Sequence, residues 1–224
     1  MPVPVHSLTD LPAEFPVFPL PGALLLPRTR LPLNIFEPRY LALVEDALGR
    51  GRLFGMIQPN PSQPDGPTGP ALFAIGCLGR VIAFSETEDN RYLITLAGLI
   101  RFRVQAELPL KRGYRCIRAD LVPFGADLAP TRPASGIARE PLLAALRAYL
   151  TVRGLGADWK TLDSLPEDRL VGTLSTLCPF APTEKQALLE APDETARGET
   201  LLALLKLNAH APAGGSAEKA PLAS

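Results

Sequence analysis

Few side chains in this chain could break a bond. Its two histidines, His6 and His210, stand near opposite ends of 224 residues. An imidazole serving a serine or cysteine nucleophile would therefore have to be brought in from a terminus. No G-x-S-x-G elbow is present to raise a serine on a strained turn. Eight serines and five lysines leave a Ser–Lys dyad open as an alternative, but their spacing singles out no pair. A P-loop needs a glycine turn running into Lys and Ser or Thr, so that amides cradle phosphate and the hydroxyl holds Mg²⁺. The sequence has no Gly-Lys dipeptide.

Other chemistries are equally thin. Cys77, Cys116 and Cys178 are isolated in apolar stretches without a C-x-x-C pair, so no metal and no cofactor are expected. Three is an odd count, and it reads as buried free thiols in a reducing cytosol. Carboxylates gather at Glu45-Asp46, at Glu86, Glu88 and Asp89, and at Asp193-Glu194. Acid–base catalysis needs carboxylates in a cleft with separated pKa values, whereas these fall on a helix surface, in a turn and at a helix start. Arg101, Arg103, Arg115 and Arg118 would stand on neighbouring strands, with Arg28, Arg30, Arg50, Arg52, Lys111 and Arg112 in turns, and such a surface could grip phosphates. Interleaved acids and a formal net charge of zero, 23 cations against 23 anions, favour cross-strand pairing instead. A nucleic-acid-binding module is the lesser alternative.

Something must position these residues, and 46% apolar content with no net charge excludes wholesale disorder. Charge-free stretches such as Gly66–Gly79 and Leu170–Thr183 contain prolines, so no membrane span is expected. The first basic residue is Arg28, which argues against a secretory signal and for a cytoplasmic protein. Up to residue 125 the pattern is β: a bent strand over Ala71–Phe84, a turn at Glu86–Asn90, strands at Arg91–Leu96 and Arg101–Leu108, and a last one around Ile117–Leu121. Strict alternation over Arg101–Leu108 predicts Arg101 and Arg103 in water and Phe102 in a core. One helix opens at Pro38 and ends at Gly49 or Gly51. Pro59–Pro70 holds five prolines and two glycines, the composition of an exposed loop. After residue 125 the period becomes 3.6, with helices predicted from Pro141 to Gly154, behind a capping box at Ser164–Glu167, behind a second at Thr183 and Gln186, and behind an Asp193 cap. The predicted organisation is a flexible start (1–13), a barrel (14–125), helices (126–210) and a disordered tail (211–224).

One block of residues carries a family signature. Phe15-Pro-Val-Phe-Pro-Leu-Pro-Gly22, then Leu26-Pro27, then Leu31-Pro-Leu-Asn-Ile-Phe-Glu-Pro-Arg-Tyr40 closely resembles the opening of the Lon protease N-terminal domain. The likeness continues through Gly79-Arg-Val81, Asp89-Asn-Arg-Tyr92, Arg101-Phe-Arg103, Leu177-Cys-Pro-Phe180 and Glu184–Glu190. The resemblance implies an α+β fold: a mostly-β, PUA-like pseudobarrel of six strands followed by a C-terminal helical bundle. It also implies recognition of unfolded or tagged polypeptides, with ATP hydrolysis and proteolysis kept in other domains of the family. The chain reaches Ser224 without a Walker motif, so peptidase activity is not carried over and no enzyme is expected.

A surface that holds unfolded chains needs exposed apolar groups beside hydrogen-bonding edges, because contact with many sequences must rest on burial and backbone pairing. The candidates are Phe18, Leu20, Leu24, Leu25, Leu26, Phe36 and Tyr40. Of these Phe36, with Leu33, is expected to lean to the core, whereas Leu24–Leu26 are evenly balanced between core and surface. Glu37 and Arg39 are expected to fix the strand-to-helix junction. The partners expected are unfolded or partly folded polypeptides, a protease or chaperone, and a second copy of the chain.

Overall fold

Period-two patterning between residues 14 and 120 builds six strands, and the 3.6-residue period after 138 builds five helices. This is the arrangement in the computed structural model, which describes residues 7–129, 136 and 138–210, with the backbone alone at 168. The strands are β1 (Glu14–Pro19), β2 (Arg30–Ile35), β3 (Leu53–Ile57), β4 (Ile75–Glu86), β5 (Tyr92–Lys111) and β6 (Tyr114–Asp120), with helix α1 (Pro38–Leu48) between β2 and β3. Hydrogen bonding runs β2-β5-β4-β3-β1-β6, and β6 pairs again with β5. Five strands thus close a barrel, and β2 lies outside the ring on β5. Only β1 and β3 are parallel, because their connection is a crossover through β2 and α1.

β5 is 20 residues long and joins what the sequence suggests are two strands. Its first residues, Tyr92–Ala97, pair with β2, and Arg103–Lys111 pair with β6. Register shifts against β4 and β6 bend it through the barrel wall. Between these halves sits Gly98, where any Cβ would fall onto the carbonyl of Leu26. At Gly79 on β4 an added Cβ would lie 2.6 Å from Leu96 and 2.8 Å from Leu25. These two glycines let the Leu24–Leu26 segment press directly against the sheet.

Arg101 departs from the predicted alternation. Beyond it Arg103, Gln105 and Glu107 are exposed as expected, but Arg101 is 5% exposed and Phe102 is fully buried beside it. The guanidinium is accepted inside because it is fully paired. Its Nε lies 2.9 Å from Asp127, and its other nitrogens donate to Asp127 (3.1 Å) and to the carbonyls of Ala191 (2.5 Å) and Pro192 (3.2 Å). Phe102 fills the barrel, edge-on to Phe15 at 5.1 Å.

The helices are α2 (Arg139–Arg153), α3 (Trp159–Ser164), α4 (Glu167–Leu177), α5 (Pro182–Glu190) and α6 (Glu194–His210). Gly154 ends α2 in the left-handed conformation, and Asp193 accepts from Ala196 N–H to cap α6, both as predicted. The two predicted capping boxes do not form. Ser164 ends α3 and donates back to Thr161 O, because the unpredicted α3 is capped by Asp158 and uses that serine in its own last turn. Thr183 lies inside α5; Glu184 accepts from Ala181 N–H at its start, and Gln186 points inward.

Gln186 belongs to a polar lattice that fixes the helices to the barrel. Gln58 Nε2 donates to Pro182 O (3.0 Å) and Gln186 Oε1 (3.2 Å), Gln186 Nε2 donates to Ile75 O (3.0 Å), and Lys185 Nζ donates to Gly22 O (2.7 Å). The apolar side is shared as well. One cluster contains Phe18, Leu43 and Leu96 together with Leu146, Leu174 and Leu201, while a second around Phe102 fills the barrel. Residues on both sides of the predicted 125/126 boundary thus pack in one cluster, and a 3₁₀ helix, Val122–Leu128, runs across it. Of the N-terminal stretch expected to be flexible, Leu8–Asp10 form a 3₁₀ turn and Leu11 is buried. Residues 1–6, with His6, and the tail 211–224 lie outside the described residues.

Candidate polypeptide-binding site

Three of the seven candidate residues meet at one cleft. Phe18 on β1 and Tyr40 in the first turn of α1 pack with ring centroids 4.0 Å apart, and with Leu20 they line a cavity of about 280 Å³. Local sequence explains the meeting. Leu20 N–H still bonds Ile57 O after Pro19 ends β1, and Pro38 starts α1 so that Tyr40 turns back over that strand. The facing wall is Pro59 and Thr68–Pro70 of the proline-rich connection. Arg115 holds that wall by donating to Pro70 O (2.6 Å), and Glu107 accepts from both Arg115 and Thr68.

Glu37 and Arg39 form an ion pair at 2.8 Å at the rim, with the guanidinium 4.5 Å from the Tyr40 ring centroid. Glu37 makes no side-chain cap to α1, and both residues line the cleft. Burial raises the Tyr40 pKa, so its hydroxyl remains a donor, and it makes no hydrogen bond among the described residues. Aromatic floor, proline walls and a free phenol make a site that can bury an apolar side chain and hydrogen-bond a passing backbone.

Phe36 lies outside the cleft and is corrected from core to surface at 61% exposure. It follows Ile35, the last residue of β2, where the sheet has narrowed to the projecting β4–β5 hairpin. The Arg91 guanidinium lies 5.8 Å from its ring centroid. On that hairpin Phe84 and Leu93 are also exposed, at 42% and 46%. By register Phe84 shares a face with Ile94 and Leu33, whereas Leu93 shares the other with Ser85 and Asn34. Sequence reading missed Phe84 and Leu93; their position within a few residues of the polar turn was the available signal. Leu24, Leu25 and Leu26 are buried at 2% exposure or less, which removes them as surface candidates. Gly79 and Gly98 draw them into the core.

Of the ten candidate cations of the β half, five are neutralised, Arg101 among them. Arg118 pairs with its cross-strand partner Glu14 (2.8 Å), Arg115 with Glu107 (2.5 Å), and Lys111 and Arg112 with Asp46 (2.6 and 2.9 Å). Lys111, then Tyr114, holds the Asp46 carboxyl well below the usual carboxylate range. Among the described residues no ion pair joins an acid to Arg28, Arg30, Arg50, Arg52 or Arg103. Burial pushes the thiols of Cys77, Cys116 and Cys178 upward, the last to about 12, so they stay protonated and unreactive at neutral pH. Cys116 is half-buried and not fully enclosed. No hydrogen bond joins a serine hydroxyl to a lysine among the described residues. No helix among them is long and apolar enough to cross a membrane.

The family described as the ATP-dependent protease La (LON) substrate-binding domain matches residues 14–207. Lon protease 2 of Sorangium cellulosum is 32% identical over 209 residues, which cover 85% of this chain and 24% of that protein. The Lon protease of Haemophilus influenzae is 22% identical over 197 residues, again 24% of its length. The chain thus spans about a quarter of these relatives. Among solved structures, the Lon N-terminal domain protein from Xanthomonas campestris superposes with a TM-score of 0.56 at 26% identity, over 85% of this chain and 97% of that one. The N-terminal domain of Mycobacterium avium complex Lon protease gives 0.56 at 14% identity, a likeness of fold.

Proposed function

The chain belongs to the LON substrate-binding domain family, and from that premise we propose that it binds unfolded or partly folded polypeptide in the service of proteolysis or protein quality control, without cleaving it. The observation that carries this reading is the run Phe36–Tyr40. Its first residue stands exposed just past β2 with the Arg91 guanidinium 5.8 Å from its ring centroid, and its last floors the cleft. An extended client would lay apolar side chains on Phe36 and Phe84 and offer its backbone to the Tyr40 hydroxyl. Among the described residues the cleft is lined by no serine, cysteine, lysine or histidine, which favours holding over cutting. A protease or chaperone that receives the client, a second copy of the chain and a cytoplasmic setting complete the proposal.

The test is fluorescence anisotropy with a labelled, permanently unfolded polypeptide at two salt concentrations, with a gel to detect fragments. The expected outcome is weakly salt-dependent binding and an intact client. Phe36→Ser with Phe84→Ser should weaken it about tenfold or more, since burying one such side chain contributes roughly 1.5–3 kcal/mol. Unchanged affinity in that double variant, or fragments that vanish on replacing one serine of this chain, would refute the proposal.

A further inference from the structure

A second cavity, of about 690 Å³, lies between the Leu26–Arg30 turn and helices α4 and α6. Arg28, Arg30 and Arg169 line it, and no carboxylate among the described residues pairs with any of the three. The acid in its wall, Glu194, is itself bound by Arg197 at 2.6 Å. Arg50, Arg52 and Arg103 also lack an acidic partner among the described residues, but only here do three such guanidiniums share the lining of one described hollow.

The turn that carries Arg28 is fixed. Thr29 Oγ1 accepts from Leu26 N–H (3.0 Å) and donates to Leu26 O (2.9 Å), and Arg28 N–H donates to Gly98 O (2.8 Å). Arg28 sits at φ +67°, the left-handed region that favours glycine. Beside the guanidiniums Leu177 stands 70% exposed at the end of α4, and Thr173 offers a half-buried hydroxyl. The hollow is therefore lined by guanidinium and apolar groups together, on the turn and on α4 alike.

We propose that this cavity takes an acidic–apolar stretch of polypeptide, with carboxylates on Arg28, Arg30 and Arg169 and an apolar side chain against Leu177. The proposal rests on the polypeptide-binding reading and adds a substrate class to it. Guanidinium forks suit phosphate as well as carboxylate. A bare phosphate would leave Leu177 in water, and a peptide covers it.

Anisotropy of the full chain with a short labelled peptide alternating Glu and Leu, and with its Gln-for-Glu counterpart, tests the assignment. The acidic peptide should bind about tenfold more tightly at low salt, and the gap should narrow as salt rises. Arg28→Gly, which keeps the backbone in a conformation glycine prefers, and Arg169→Gln on the helix surface should each weaken binding of the acidic peptide about threefold. Both variants should still bind a neutral unfolded chain as the unmodified protein does. Equal affinity for the two peptides, or indifference of the acidic one to both variants, overturns the assignment. So does pyrophosphate binding that these variants abolish while the acidic peptide stays unbound. Loss of the neutral chain as well, in the unmodified protein, would instead strike at the polypeptide reading itself.

Discussion

Arg101 shows how a single side chain can hide its role from a pattern. Alternation assigns it to water, and the rule fails because the helices place Asp127, Ala191 and Pro192 around that one position. No local signal announces partners 26 and 90 residues away. The same guanidinium ties three parts of the chain, so Arg101→Met removes its ion pair to Asp127 and its bonds to the Ala191 and Pro192 carbonyls at once. That variant should lose about 3–5 kcal/mol in urea denaturation, the range for removing one partner of a buried pair. At the candidate site, Phe18, Leu20 and Tyr40 were legible from the sequence, and Phe36 was chosen as a candidate yet placed in the core. Exposure at Phe36 depends on the sheet narrowing to a hairpin beyond β2, which composition does not record.

Elements were more readable than their ends. Proline at N1 of α1, glycine after α2 and aspartate before α6 act through the backbone of their own turn, so the sequence carries them directly. The two misread capping boxes failed for opposite reasons: Ser164 was taken by a preceding short helix, and Gln186 by the barrel. A long-range polar partner outbid the local one in the second case. Gly98 is the position at which β5 depends on a missing side chain. Gly98→Ala should lower Tm by more than 5 °C or prevent soluble expression, since the methyl would press on the Leu26 backbone. Gly156→Ala, with open space around it, should stay within roughly 0.5 kcal/mol of the parent.

For the molecule as a whole, barrel and helices share a core and a polar seam, which predicts one cooperative unfolding transition. Its acid limb should carry the signature of Asp46. With the folded carboxyl held below its ordinary value by Lys111 and Tyr114, the stability it contributes is present above about pH 4 and fades as pH falls toward the folded pKa. Asp46→Asn should therefore lower Tm at pH 7 by roughly 2–4 °C and flatten the dependence below pH 4, read by thermal melts across pH. A parallel loss at every pH would show that the carboxylate acts through packing alone.

β5 also determines where a load would go. Its leading third supports the exposed hairpin, and its trailing half closes the ring against β6. Tension from a captured chain being drawn away would therefore run along one continuous backbone into the barrel wall, where many cross-strand bonds resist it together. The anchorage would hold while the cargo gives way.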